Sequence, residues 1–207
     1  SPTAVIHDAT NVVVVRSMQA MVPCEFGSQV WVTLAKAHNS VQKIPAHRFD
    51  VDAVLQSAPN LLYVQHGHFI PNAEMFDWRA FAMSPAEVRA TDPTHRVLLE
   101  SVCNVLSRAG ESRKSLLGTD TGMLLGLSNV ADWSSLQRDI GARGGTFGAH
   151  GSDAAAAAGR VSYLLGLKGP CFSLTTACSS SLVALNAAHQ NLKSHSCANA
   201  VVAGACL

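Results

Sequence analysis

The chain has 207 residues, 48% of them hydrophobic, enough for one globular domain with its own core or for a piece of a larger one. Charged residues make up only 14%, below the roughly 25% of an average soluble domain, which points to a large buried interior. A formal net charge of +1, with no run of like charges, gives no electrostatic basis for binding nucleic acid or an anionic membrane.

In chain order, residues 11–16 contain four consecutive valines and read as a buried strand. Residues 29–38 read as a short helix, and residues 39–82 as an irregular connection holding Ile44-Pro45 and Ile70-Pro71. Ser84-Pro85-Ala86-Glu87 has the form of a capping box, with Ser at the N-cap, Pro at N1 and Glu at N3. Asp92-Pro93 starts a second helix. Leu98, Val102, Val105, Leu106 and Ala109 follow at helical spacing, and Gly110 supplies a stop. Residues 121–127 read as a second buried strand, and 128–152, rich in Gly and Ser, as a loop with one short helix. An alanine-rich helix over 154–165 closes at Gly166. A strand over 171–175, a helix over 179–194 and a strand over 198–203 complete the pattern. Strands alternating with helices predict an α/β layered fold, with no internal repeat and no linker that splits the chain.

The six cysteines, Cys24, Cys103, Cys171, Cys178, Cys197 and Cys206, are scattered and mostly lie in apolar runs. No CxxC pair occurs, so neither a disulfide framework nor a zinc cluster is expected. Mostly inert, buried thiols in a reducing compartment, the cytoplasm or an organelle, fit this usage, with at most one or two reactive. The opening segment lacks the order of a secretory signal. Residues 169–192 carry no formal charge and are long enough to span a bilayer, but their many Ser, Thr, Asn and Gln side chains predict a core segment instead.

The informative stretch is Ser173-Leu174-Thr175-Thr176-Ala177-Cys178-Ser179-Ser180-Ser181-Leu182-Val183-Ala184-Leu185. It reads as a strand, a tight turn and a helix, with Cys178 at the turn. A thiol at a helix start faces unpaired N–H groups and the positive end of the helix dipole. Both favour the thiolate, and the same groups can stabilise an oxyanion on a thioester carbonyl. Small neighbours (Ala177, Ser179, Ser180, Ser181) permit a sharp turn of the nucleophile-elbow kind. Position alone also fits an inert buried cysteine.

The stretch from Thr176 to Leu185 resembles the active-site motif of β-ketoacyl synthases, DTACSSSLVAL. Residues 158–170 resemble the family's AGRISYLLGLRGP, and residues 92–100 its DPQQRLLLE helix. Phe76-Asp77 followed by Phe81-Ala82-Met83-Ser84-Pro85 resembles FD…FFGISP, and Ile44-Pro45-Ala46-His47-Arg48-Phe49-Asp50 resembles IPxxRWD. All five stand in family order.

The resemblance implies a thiolase-like α/β/α/β/α fold, of which residues 1–207 form the N-terminal half. It implies decarboxylative Claisen condensation in polyketide or fatty-acid synthesis, with Cys178 as the acyl-accepting catalytic residue. No cofactor or metal is bound directly, since the acyl chain rides on the phosphopantetheine of acyl carrier protein. Implied partners are acyl carrier protein, a second copy in a homodimer, and neighbouring synthase domains such as an acyltransferase.

Thr175 stands where the motif has Asp, and Val22-Pro23-Cys24-Glu25-Phe26-Gly27 matches the family's RFPG segment poorly. The family's two catalytic histidine motifs come after the strand that residues 201–207 resemble. The fragment alone is therefore expected not to condense. At ~1.5 Å rise per residue, His189 stands about 16 Å from Cys178 and His195 farther, too far to substitute. His150, in the Gly-rich loop, reads as a solvated turn residue before a catalytic base. Two rivals are a degenerate, non-catalytic scaffold domain and a thiol hydrolase using Cys178. Two further patterns read as loop and turn: residues 141–148, which lack a GKS or GKT ending, and His66-Gly67-His68, which lacks further metal ligands nearby.

Overall fold

The computed structural model describes residues 3–9, 12–21, 30–48, 50–57, 64–128, 133, 151 and 153–205. The chain parts into two compact units, Ser1–Gln19 with Glu74–Leu207, and Ala20–Ala73 between them. No change of composition marks either border.

The smaller unit holds helix α1 (Val30–Ala35), strand β3 (Gln42–Lys43), helix α2 (Val51–Ser57) and strand β4 (His66–Gly67), which pairs antiparallel with β3. The helix expected over 29–38 is present. The stretch expected to be irregular carries α2 as well, tied by Lys43 Nζ to Asp52 at 2.8 Å. The His68 ring nitrogen Nδ1 bonds the Ser40 hydroxyl at 2.8 Å. Among the described residues no group of three metal-ligating side chains comes together.

The larger unit is built on one sheet of order β2-β1-β7-β5-β6. Its strands are β1 (Thr3–Ala9), β2 (Val12–Gln19), β5 (Gly122–Leu127), β6 (Cys171–Leu174) and β7 (Asn199–Ala205). β1 pairs antiparallel with both β2 and β7, whereas β5 runs parallel to β6 and β7. The valine-rich strand exists, but it is an edge strand and not a buried one: Val14 and Val15 are exposed. β1 has no counterpart in the sequence reading, because pairing on both of its sides, and not its short apolar run, makes it a strand.

Helices cover both faces. Met123, Leu125 and Leu127 of β5, with Val201 and Ala203 of β7, pack in one apolar cluster with helices α4 (Pro93–Arg108) and α6 (Ala154–Leu165). The alternate residues Leu124, Ala200 and Val202 pack with helix α7 (Ser180–Lys193) through Ala184, Ala188 and Leu192. Period-2 strands meeting period-3.6 helices thus give an α/β/α sandwich. All six residues of β5 are buried, as expected of a central strand between parallel neighbours.

Caps fix the helix starts. In helix α3 (Pro85–Ala90), Ser84 Oγ accepts from Glu87 N at 3.2 Å. The other arm of the expected box goes elsewhere, because Glu87 pairs with Arg160 of α6 at 2.7 Å. Asp92 accepts from Thr94 N at 2.7 Å to start α4, which runs to Arg108 just before Gly110. Gly166, at φ +68°, closes α6 in the left-handed region that an L side chain disfavours. A further short helix, α5 (Arg113–Leu116), begins in a Ser112–Ser115 capping box.

His95, in the first turn of α4, is buried, and among the described residues its Nδ1 finds no hydrogen-bond partner. Burial lowers its pKa below the ordinary 6.5. Arg160 adds to this, while Asp92 and Asp153 oppose it. The folded state therefore binds this proton less readily than the unfolded chain. The stabilisation is fully present above 6.5 and is lost as the pH falls below that value towards the folded pKa. The urea midpoint of the protein should fall on acidification from about pH 7.5 to about pH 5. His95→Gln, which restores the residue of the DPQQR pattern, should flatten that limb. An equally steep limb in the variant would assign the acid sensitivity elsewhere.

Candidate active site

β6 ends at Leu174, and the chain then leaves the sheet. Thr175 donates its hydroxyl to the carbonyl of Leu127, the last residue of β5, at 2.8 Å. A single 3-10 turn, Ala177–Ser179, precedes α7, so Cys178 lies in this turn and not within the α-helix itself. Ala177 has φ +53°, a left-handed conformation that costs a non-glycine residue roughly 1 kcal/mol.

Hydroxyls of the following serines hold that conformation. Ser180 is buried. Its Oγ donates to the Ala177 carbonyl at 2.7 Å and accepts from Thr176 N at 2.8 Å. Ser179 Oγ donates to the Thr176 carbonyl at 2.7 Å. With the serine side chains turned back on the turn, α7 begins without a side-chain cap. The Ser179 and Ser180 amides instead donate to the Thr176 and Ala177 carbonyls, closing the 3-10 turn.

Two glycines make room for this arrangement. Gly126 of β5 and Gly204 of β7 are opposite each other in the parallel ladder. A Cβ on Gly126 would lie 2.4 Å from the Ser180 carbonyl carbon and oxygen, and one on Gly204 would lie 2.6 Å from Ser181 Cβ. The start of α7 therefore rests directly on the sheet backbone. The sequence reading passed over this pair, although a lone glycine inside an apolar strand is the usual mark of a close backbone approach.

Cys178 is exposed. Burial pushes the thiols of Cys103 and Cys197 up. Cys171, which is exposed on edge strand β6, is also pushed up by burial of its sulfur, against a smaller opposing hydrogen bond from Ser162. Cys24 and Cys206 lie outside the described residues, as do His150 and residues 141–148. His189 lies in the third turn of α7 and His195 just past its end, both exposed. A cleft of about 330 Å³ lies among α4, α5 and α6, lined by Phe81, Cys103, Leu106, Arg113 and Leu165 among others, and takes no residue from the cysteine turn. Among the described residues no helix is long and apolar enough to cross a membrane.

A mixed sheet sandwiched by helices, with a cysteine held on a strained strand-to-helix turn, defines a thiolase-like α/β protein. The family-wide pattern of the β-ketoacyl synthase N-terminal domain matches residues 10–207, and the chain belongs to that family. It is 38% identical over 166 residues to a phenolphthiocerol/phthiocerol polyketide synthase of Mycobacterium bovis, covering 79% of this chain and 9% of that protein. It is 35% identical over 210 residues to the spectinabilin polyketide synthase system protein NorC of Streptomyces orinoci, covering 99% of this chain and 9% of that one. Among solved structures, the ketosynthase from module 6 of the bacillaene synthase of Bacillus subtilis superposes with a TM-score of 0.78 at 27% identity. That match covers 100% of this chain and 32% of the ketosynthase. An oxazolomycin ketosynthase domain from Streptomyces albus gives 0.77 at 28% identity, over 97% and 35%. The chain thus spans about a tenth of the curated polyketide synthases and about a third of the solved ketosynthases it matches.

Proposed function

We propose that Cys178 is the acyl-accepting nucleophile of a polyketide-synthase ketosynthase, and that residues 1–207 are the N-terminal part of it. The observation that carries this reading is an exposed thiol on a turn braced from both sides, in a chain of the β-ketoacyl synthase family. The Cys178 thiolate attacks the thioester carbonyl of an acyl group on acyl-carrier protein, and backbone amides beside the cysteine receive the developing oxyanion. The acyl–sulfur bond to cysteine forms as the phosphopantetheine thiolate leaves. A malonyl-type extender on a second carrier then loses CO2. Its carbanion attacks the acyl-cysteine, the new carbon–carbon bond forms, and the cysteine thiolate departs. Stabilising the enolate falls to the histidine motifs that the family carries farther along its sequence. We place the protein in the cytoplasm and assign no directly bound cofactor.

The second copy of a homodimer is proposed to lie along β6, an edge strand whose Cys171 and Phe172 are exposed. In α7, Leu182, Val183 and Leu185 are likewise exposed. Among the described residues nothing covers these side chains, and the rest of the synthase is proposed to supply the cover.

One labelling experiment tests both statements. In the complete synthase, an acyl group from acyl-carrier protein should map to Cys178, and iodoacetamide should alkylate Cys178 fastest. Cys103 and Cys197 should react slowly because their thiols are buried and raised. Cys171 should be protected in the native dimer and react once the protein is unfolded. An acyl adduct on any other cysteine would overturn the nucleophile. Rapid native labelling of Cys171 would overturn the β6 interface.

A further inference from the structure

We propose that Thr175 is a positioning residue for Cys178, acting through its hydroxyl bond to the Leu127 carbonyl. The inference rests on the reading of Cys178 as the nucleophile.

The parallel ladder between β5 and β6 runs from Met123 opposite Cys171 to Gly126 opposite Leu174, and there β6 ends. One residue later the Thr175 hydroxyl takes up the next carbonyl of β5, that of Leu127, at 2.8 Å. A side chain thus continues the pairing at the point where the backbone must turn away. Leu127 makes a firm anchor: it is buried, and on its other side β5 pairs with β7 through Leu127 and Ala205. Downstream of the thiol, Ser180 grips Ala177 and Thr176 while its own backbone rests on Gly126. Both ends of the segment carrying Cys178 are therefore referred to two adjacent residues of one strand.

The bond requires a donor. An ionised aspartate, the residue the DTACSSSLVAL pattern has here, only accepts and cannot bond a carbonyl. Threonine at 175 is then an alternative way of fixing the turn and not a neutral replacement. Without it, the upstream end of a segment that already holds a left-handed alanine is free to shift. Attack on a thioester demands close alignment of sulfur, carbonyl and oxyanion donors, and a shift of about 1 Å can cost ~10²-fold.

The test compares Thr175→Val, which keeps the shape and loses the donor, with Thr175→Ser, which keeps the donor, in the complete synthase. Single-turnover acylation of Cys178 by acyl-carrier protein should slow about 10-fold or more in Thr175→Val and return towards wild type in Thr175→Ser. Alkylation of Cys178 by iodoacetamide, which needs no oxyanion donors, should be unchanged, and the urea midpoint should stay close to that of the wild type. Wild-type acylation in Thr175→Val overturns the proposal. Equal loss of acylation and alkylation with a collapsed urea midpoint overturns it too, in favour of a role in the fold. If the wild-type protein itself takes no acyl group on Cys178, the nucleophile reading fails first and the proposal falls with it.

Discussion

Replacing Cys178 by alanine in the complete synthase is expected to abolish condensation, by at least ~10³-fold, because it removes the sulfur on which the proposed covalent intermediate forms. Among the described residues the other cysteines are badly placed. Cys197 is buried, Cys103 is half-buried and its thiol is raised, and Cys171 lies on β6 upstream of the turn. The substitution removes one exposed sulfur and touches none of the hydroxyl bonds that shape the turn. The unfolding free energy from urea denaturation should therefore stay within about 0.5 kcal/mol of wild type. A lost product with a preserved fold is the signature of a removed nucleophile. Condensation that persists above about a tenth of wild type in Cys178→Ala would exclude the covalent route through this residue. Cys178→Ser, which keeps a weaker nucleophile in the same place, should still lose the observable acyl adduct at neutral pH, since a hydroxyl lacking an adjacent base ionises far less than a thiol.

The turn that carries Cys178 was legible because everything that marks it is local. Thirteen consecutive residues carry the strand, the turn and the helix, and the turn chemistry of Ala177 to Ser181 can be read without knowing what lies beneath. The caps of α3 and α4 were legible for the same reason, since Ser84 and Asp92 bond amides two or three residues on. Where a feature depends on distant partners, the reading stopped short. Glu87 fits a capping box by spacing, yet a charge 73 residues away, Arg160, claims its carboxylate. Four valines fit a buried strand, but β2 falls at the sheet edge, and valine follows the pleat whether or not its face is covered. Thr175 could be seen as a departure from a motif. Its function as a donor appeared only once the end of β5 stood opposite it.

The glycine pair under α7 leads to the largest stability effect. Gly126→Ala should destabilise the protein by roughly 3 kcal/mol or more, at or beyond the upper end of what overpacking a core usually costs. The added methyl would meet the Ser180 carbonyl at 2.4 Å and the Ser181 amide nitrogen at 2.7 Å. These are backbone atoms, so no rotamer change relieves the clash, and α7 must lift from the sheet. Lifting it opens the contacts of Ala184, Ala188 and Leu192 with Leu124 and Val202, and also strips the support beneath the cysteine turn. Against a typical total stability of roughly 5–15 kcal/mol, such a loss should show as poor soluble yield and a large drop in urea midpoint. Whatever folds should acylate slowly. Gly159→Ala is the matched control. Gly159 lies mid-helix in α6 with nothing within 4 Å of the added methyl, so the same substitution should stabilise by up to about 1 kcal/mol. If Gly126→Ala unfolds at the wild-type urea concentration while Gly159→Ala behaves as stated, the close seat of α7 on β5 is wrong, and with it the account of how this fold holds its cysteine.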